Sequence, residues 1–217
     1  MARIVFDLDG TLIDSAPDIH GIANKVLEQE GLEGLTLAQT HNFIGNGAAV
    51  FVTKMRGARG IDDSEQARLL ADFIKRYDSA VELTLPYPGV LAALDALKAG
   101  GHSLGICTNK PIRPCRLVLE HLGMDHYFDT MWGGDSLAVH KPDPAPLHAA
   151  FDALGKGAQL YVGDSDVDAE TGQRAGVPFM LFTQGYRKSA VEDLHHAVAF
   201  DDFAELPRLV QELLVAA

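Results

Sequence analysis

Three aspartates in this chain stand directly after apolar runs. Arg3-Ile4-Val5-Phe6 leads into Asp7, with Asp9 two residues further on, and Leu160-Tyr161-Val162-Gly163 leads into Asp164. Short apolar runs rich in β-formers read as buried strands. Residues two apart on a strand share a side, so Asp7 and Asp9 are expected to project together unless the strand has already turned. Carboxylates that close repel one another and need a cation, or one must take a proton. With no His or Cys beside them, an oxygen-loving cation such as Mg²⁺ fits the set. Turn and helix-cap duty, the ordinary use of acidic residues, is the expectation for Asp14, Asp166 and Asp201.

Two further residues become chemical only in company. The run Ser103–Thr108 ends in Thr108-Asn109-Lys110-Pro111. A hydroxyl and backbone N–H groups at a strand-to-helix turn can cradle a phosphoryl oxygen, although a helix cap accounts for a threonine there equally well. Lys141 sits in Val139-His140-Lys141-Pro142-Asp143-Pro144, a loop fixed by two prolines. Alone it is a solvated charge; beside the acidic cluster it becomes a counter-ion.

Something must bring these positions together. Strand-like runs at Arg3–Leu8, Ser103–Thr108, Thr130–Trp132, Gln159–Val162, Pro178–Thr183 and the late Ala-Val-Ala-Phe alternate with helical patterns at Arg113–Leu122, Ala145–Leu154, Asp168–Ala175 and Phe203–Val215. Pro88 marks a further helix start and Gly100-Gly101 its end. That alternation predicts an α/β fold with a parallel sheet and right-handed crossovers, and active sites of open parallel sheets lie beyond the strands' carboxyl ends. Between the first two strands, Asp18 to Leu83 is helical in period, with Ile19, Ile22, Ala23, Val26 and Leu27 on one face. We therefore expect a core built from residues 1–14 and 86–217, with a small helical domain, 15–85, inserted after the first strand.

Composition narrows the class. The 217 residues include 18 Lys+Arg against 30 Asp+Glu, a formal net charge of −12, which argues against a nucleic-acid partner. The longest apolar run is far short of the ~20 residues of a membrane span, and the first ten residues do not read as a signal peptide. Cys107 and Cys115 cannot build a disulfide framework or a four-ligand zinc site. A cytoplasmic protein is expected, with monomer and homodimer both open. Cys107-x5-Arg113 mimics the loop of cysteine-based phosphatases, but Pro111 lacks an N–H and no glycine lies within it. Gly45-x-Gly47 lacks the third glycine of a dinucleotide fingerprint. No metal-binding histidine spacing is present; His195-His196 is expected at the surface, and an ordinary role is expected of His140.

In this order, Asp7-Leu8-Asp9-Gly10-Thr11, Thr108, Lys141 and Gly163-Asp164-Ser165-x-x-Asp168 resemble the four motifs of the haloacid dehalogenase superfamily. Each is short, but the ordered set is specific. Pro86-Tyr87-Pro88-Gly89-Val90, Thr108-Asn109-Lys110-Pro111, Gly133-Gly134-Asp135-Ser136-Leu137, Lys141-Pro142-Asp143-Pro144-Ala145-Pro146-Leu147 and Gly45-Asn46-Gly47 resemble its phosphoglycolate phosphatase branch. The likeness runs along essentially the whole chain, most closely after residue 86.

The resemblance implies a Rossmann-like core, a helical cap and an Mg²⁺-dependent phosphatase acting on a small phosphorylated metabolite. It implies Asp7 as nucleophile, forming an aspartyl-phosphate that water hydrolyses, and Asp9 as acid then base. It implies Mg²⁺ held by the Asp7 carboxylate, the Asp9 backbone carbonyl and Asp164, with Asp168 orienting that shell. Thr108 and Lys141 would stabilise the phosphoryl group. Thr11 and Asn109 would assist in binding substrate, and Gly45, Asn46 and Gly47 of the cap could offer backbone N–H groups to a substrate carboxylate. An ordinary helix–helix turn explains those three as well. Lys54 and Arg56, further along, could also help, with solvent-facing charge their default. Asp9 favours phosphoryl transfer over carbon–halogen chemistry, because only an oxygen leaving group needs a proton. Hydrolysis of 2-phosphoglycolate leads. Another small phosphate or pyrophosphate, a sugar-phosphate mutase and a non-catalytic phosphometabolite binder remain as alternatives.

Overall fold

The computed structural model describes residues 1–77 and 80–216. Residues 78, 79 and 217, which fall within the expected helical insert and core, lie outside the described residues. The strands in chain order are β1 (Ala2–Phe6), β2 (Ile13–Asp14), β3 (Leu85–Pro86), β4 (Ser103–Cys107), β5 (Thr130–Trp132), β6 (Ala158–Gly163), β7 (Phe179–Phe182) and β8 (Val198–Phe200). Six of them form one parallel sheet in the order β5-β4-β1-β6-β7-β8. This is the doubly wound arrangement, and the order reverses beside β1, where a crevice opens beyond the strand ends.

Helices cover both faces because successive side chains of a strand point to opposite sides. Ile4 and Phe6 pack with α5 (Val90–Ala99), α6 (Ile112–His121) and α9 (Leu206–Ala216). Val5 packs on the other face with α7 (Ala145–Ala153) and α8 (Asp166–Ala175). Ile4, Val5 and Phe6 are fully buried, which is why β1 reads as an unbroken apolar run.

Among the described residues, four α-helices come between β2 and β3: α1 (Ala16–Gln29), α2 (Leu37–Phe43), α3 (Gly47–Ala58) and α4 (Gln66–Tyr77). They close on an apolar centre of their own, built from Ile19, Val26, Phe51, Met55, Leu69 and Phe73. Each large side chain buried there contributes about 1.5–3 kcal/mol. Arg56 departs from the expectation of solvent-facing charge. It is buried and braces these helices from within, donating to Gln66 Oε1 at 3.0 Å and the Ile61 carbonyl at 2.9 Å and pairing with Asp63.

The two chain passages between the helices and the sheet are tied together. β2 pairs antiparallel with β3, Ile13 opposite Pro86. Asp18 accepts from the Leu83 N–H at 3.0 Å and the Thr84 hydroxyl at 2.7 Å. Among the described residues, no helix is long and apolar enough to cross a membrane.

Candidate active site

Parallel register decides what meets at the sheet's carboxyl edge. Phe6 lies level with Ile106 of β4 and Val162 of β6. Neighbouring strands are ~4.8 Å apart, so the residues that follow in each chain emerge side by side. Asp7 and Thr108 each donate a backbone N–H across the edge, to Val162 and Trp132, both at 2.9 Å. Asp164 and Asp168 enter from the turn after β6, where Ser165 and Asp168 form a reciprocal cap at the start of α8.

Asp7, Asp164 and Asp168, all buried, each bring a carboxylate oxygen within 4.8 Å of the other two. Lys141 reaches into them, with its Nζ 2.9 Å from Asp7 Oδ1 and 2.7 Å from Asp168 Oδ1. The three acids are not equivalent. Asp168 is saturated: Oδ1 accepts from Lys141 and the Tyr161 hydroxyl, and Oδ2 from Ser165 N–H and Oγ and more distantly from Asp164 N–H. Burial opposes its charge, but Lys141 and these donors hold its carboxyl below the ordinary value. Asp7 Oδ1 faces the Lys141 ammonium yet receives no aligned hydrogen bond. Burial lifts the Asp7 carboxyl to about 7, with Lys141 pulling down and Asp168 pushing up. Asp164 is driven well above the carboxylate range, first by burial and then by repulsion from Asp168 and Asp7.

An all-oxygen donor set, a buried carboxylate oxygen with no aligned donor, and two carboxyls that burial drives toward protonation together fit a hard divalent cation. Asp7 and Asp164 are the two side chains with a need for one, while Asp168 has none to spare.

Asp9 departs from simple alternation. β1 ends at Phe6, and Gly10, at φ +89°, turns the chain. The Asp9 side chain stands apart from the acidic trio: it accepts from the Ser15 hydroxyl at 2.6 Å and pairs with Lys110 Nζ at 3.1 Å. Thr11 is spent locally, its hydroxyl donating to Asp164 Oδ1 at 2.6 Å from a fully buried position. Thr108 Oγ1 accepts the Lys110 N–H at 3.2 Å, which leaves its own proton to donate.

A cleft of about 440 Å³, counted out to its open mouth, lies between the strand ends and the four helices. Asp7, Asp9, Thr108, Asn109 and Lys110 line it from below, and Gly45, Gly47, Phe51, Phe73 and Tyr77 from above. Asn46 lines an adjoining cleft that shares Asp7, Asp9 and Gly45 and adds Asp164, Tyr186 and Lys188. Asn109 ties the two levels, donating from Nδ2 to the Gly45 carbonyl at 3.1 Å and the Lys141 carbonyl at 2.9 Å, while its buried Oδ1 has no hydrogen-bond partner among the described residues. Lys54 is half-buried and reaches the Asn42 carbonyl at 3.5 Å, near Lys188 on the adjoining cleft. His140 and His195 are exposed, and Cys107 and Cys115 are buried free thiols.

The model of the family described as haloacid dehalogenase-like hydrolase matches residues 4–182. The chain belongs to that family. Among curated relatives, a phosphoglycolate phosphatase of Cereibacter sphaeroides is 48% identical over 99% of this chain and 100% of its own. One from Rhodobacter capsulatus is 42% identical over 96% of both chains. In structure, the chain is similar to a predicted phosphoglycolate phosphatase from Haemophilus somnus, with a TM-score of 0.89 and 32% identity over 96% of this chain and 97% of the other. The six-stranded α/β core is the fold that this haloacid dehalogenase-like hydrolase shares with that neighbour.

Four residues around the family's motifs were not singled out from sequence: Lys110, Tyr77, Gly185 and Tyr186. A Cβ on Gly185 would collide with the Asp164 carboxylate and the Gly10 carbonyl, and one on Gly10 with Asp164. Asp164 is thus wedged between two glycines, with the Tyr186 N–H donating to its Oδ2 at 2.6 Å. The Tyr186 hydroxyl accepts from the Ser15 and Ala16 N–H groups at 2.9 and 3.0 Å, and Asp14 Oδ1 shares the Ala16 N–H at 3.2 Å, while the Ser15 side chain itself makes no cap bond. Thr183 and Gln184 separate Gly185 and Tyr186 from the end of β7, so no local pattern marks these two.

Proposed function

We propose that this hydrolase is an Mg²⁺-dependent phosphatase whose substrate is 2-phosphoglycolate, converted with water to glycolate and phosphate in the cytoplasm. The observation that carries the reading is Asp7: a buried carboxylate at the sheet's edge, beside a lysine, with an oxygen that no aligned donor engages. A carboxylate so placed is available as a nucleophile. The curated relatives named phosphoglycolate phosphatase over nearly full length support the substrate.

In this reading Asp7 attacks phosphorus, the ester P–O bond breaks, and Asp9 gives a proton to the departing glycolate oxygen. Water then attacks the aspartyl-phosphate, Asp9 takes its proton, and phosphate leaves with Asp7 restored. Thr108, its oxygen already engaged by Lys110 N–H, donates its proton to a phosphoryl oxygen. Lys141 offsets the charge that Asp7 and the phosphoryl group bring together. Asp168 fixes Lys141 and the turn carrying Asp164. Asp7, Asp164 and the Asp9 backbone carbonyl would hold Mg²⁺, which when bound supplies positive charge to the phosphoryl oxygens. The four helices act as a cap that excludes water, with Asn109 latched to Gly45. The first turn of α3, which no side chain caps, leaves the Asn46–Gly47 backbone free to donate to an anion.

Phosphate release tests this across 2-phosphoglycolate, other small phosphorylated acids, sugar phosphates and pyrophosphate, with and without EDTA. The expected result is the highest kcat/KM on 2-phosphoglycolate, abolished by EDTA. A profile led by a sugar phosphate or pyrophosphate overturns the substrate, and no phosphate release from any of them overturns the reaction.

A further inference from the structure

Lys110 is a buried cation that the steps above leave without a duty. Its ammonium lies on the cleft wall, 2.8 Å from the Tyr77 hydroxyl and 3.1 Å from Asp9 Oδ1. Phe51 and Phe73 line the same cleft, so the ammonium is stripped of water in apolar surroundings. A charge so placed must be paired, and Asp9 is its partner in the free protein. Yet Asp9 is also the residue that must turn to the leaving oxygen.

The donor count resolves this. An ammonium has three protons, and a phenol that accepts a hydrogen bond keeps its own. Tyr77 accepts from Lys110 and so retains a proton to give, and burial pushes its phenol up to about 12, which keeps that proton in place at neutral pH. Ammonium and phenol therefore present adjacent donors, the pattern that the two oxygens of a carboxylate accept. One donor comes from the core and the other from α4, so both are offered together only when the helices sit against the strand ends.

We propose that Lys110, with Tyr77, receives the carboxylate of the substrate, which takes the place of Asp9 beside the ammonium and frees Asp9 to take up a proton from water and deliver it to the ester oxygen. This rests on the 2-phosphoglycolate reading and names the residues that select that substrate. An ester without a carboxylate leaves Lys110 holding Asp9, and it therefore loses kcat as well as affinity.

The test compares kcat and KM for 2-phosphoglycolate and for ethyl phosphate, which lacks the carboxylate, in the wild type, Lys110→Met and Tyr77→Phe. Calorimetric binding of both esters to Asp7→Asn and to Asp7→Asn/Lys110→Met gives affinity apart from turnover. A charged hydrogen bond is worth about ten- to a hundredfold. Lys110→Met is thus expected to cut the preference for 2-phosphoglycolate by about that factor, with Tyr77→Phe at the low end. Where Lys110→Met does not fold, Lys110→Gln reads the same loss. Equal loss on both esters makes Lys110 a brace for Asp9 and overturns the proposal. A wild-type preference that survives the substitution puts carboxylate recognition elsewhere and also overturns it. A wild type that does not favour 2-phosphoglycolate at all overturns the substrate reading and the proposal together, and that outcome is distinct from the other two.

Discussion

Lys141 Nζ stands 2.7 Å from Asp168 Oδ1, and solvent reaches almost none of either side chain. The pair joins a loop held by prolines to the first turn of α8, and it sets the position of everything above it. Asp168 fixes Lys141 with one oxygen and the Asp164–Ser165 backbone with the other. Removing one partner of a buried pair leaves the other charge uncompensated, at about 3–5 kcal/mol. Asp168→Asn is expected to lower unfolding stability by that order in urea titration. It is also expected to weaken Mg²⁺ binding about 10–100-fold without removing a ligand, as loss of a supporting hydrogen bond does. An unaltered Mg²⁺ affinity in the folded variant would show that Asp168 does not position the cation site.

Asp7→Asn keeps the size of the side chain and removes the proposed nucleophile. Turnover is expected to fall by roughly 10⁴–10⁶, the scale seen when a covalent nucleophile is deleted. The fold persists, because Lys141 keeps Asp168 as its partner and burial of the Asp7 carboxyl is itself costly. Single-turnover quench with ³²P-labelled substrate checks the assignment: label on protein in the wild type, none in the variant. Phosphorylated protein persisting in Asp7→Asn would place the nucleophile elsewhere.

The metal-free protein should lose stability as pH rises from about 4 to about 7. The Asp7 carboxyl is raised from 3.8 to about 7 in the fold, and Asp164 moves in the same direction, both chiefly through burial. In that window the folded state holds protons that the unfolded state has released, so stability slopes downward by about 1.4 kcal/mol per pH unit for each such proton. The stability from the raised carboxyl is fully present below 3.8 and is lost through about 7. A cation competes with those protons, so Mg²⁺ should stabilise the protein more at pH 8 than at pH 5. Thermal unfolding in EDTA and in Mg²⁺ across pH 4–8 measures this, and equal Mg²⁺ stabilisation at pH 5 and pH 8 would contradict it. Asp7→Asn should flatten part of the slope in EDTA.

What the chain reveals before folding follows from how parallel sheets are built. β1, β4 and β6 are covered on both faces, so each reads as an apolar run, and the polar residue that ends the run marks the active edge. Asp7, Thr108 and Asp164 are legible for that reason. The Asp9 side chain was less so, because the turn at Gly10 carries it away from Asp7 and toward Lys110 and Ser15, a change that strand alternation does not encode. Lys110 follows Thr108 and Asn109 in the same turn, yet its partner Tyr77 comes from a helix 33 residues earlier in the chain. Arg56 looks like a surface charge in a mixed helical pattern and is buried only because Gln66, Asp63 and the Ile61 carbonyl converge on it.

Gly185 and Tyr186 give the clearest case of a role written only in three dimensions, and they separate by experiment. Gly185→Ala drives a methyl group into the Asp164 carboxylate, which the Thr11 hydroxyl and the Tyr186 N–H hold in place, and into the backbone carbonyl of Gly10. It is expected to act on the cation site first, weakening Mg²⁺ binding by at least about tenfold, the lower range for a displaced supporting group. Tyr186→Phe leaves the backbone N–H on Asp164 and removes the hydroxyl that caps α1 and donates to Asp14 at 2.6 Å. Loss of a helix cap costs about 0.5–2 kcal/mol, so this variant should lose stability in that range while its Mg²⁺ affinity holds. Isothermal titration with Mg²⁺ and urea unfolding on both variants resolve the two roles. The opposite pattern, cation binding lost in Tyr186→Phe and kept in Gly185→Ala, would mean that the ring rather than the glycine seat positions Asp164.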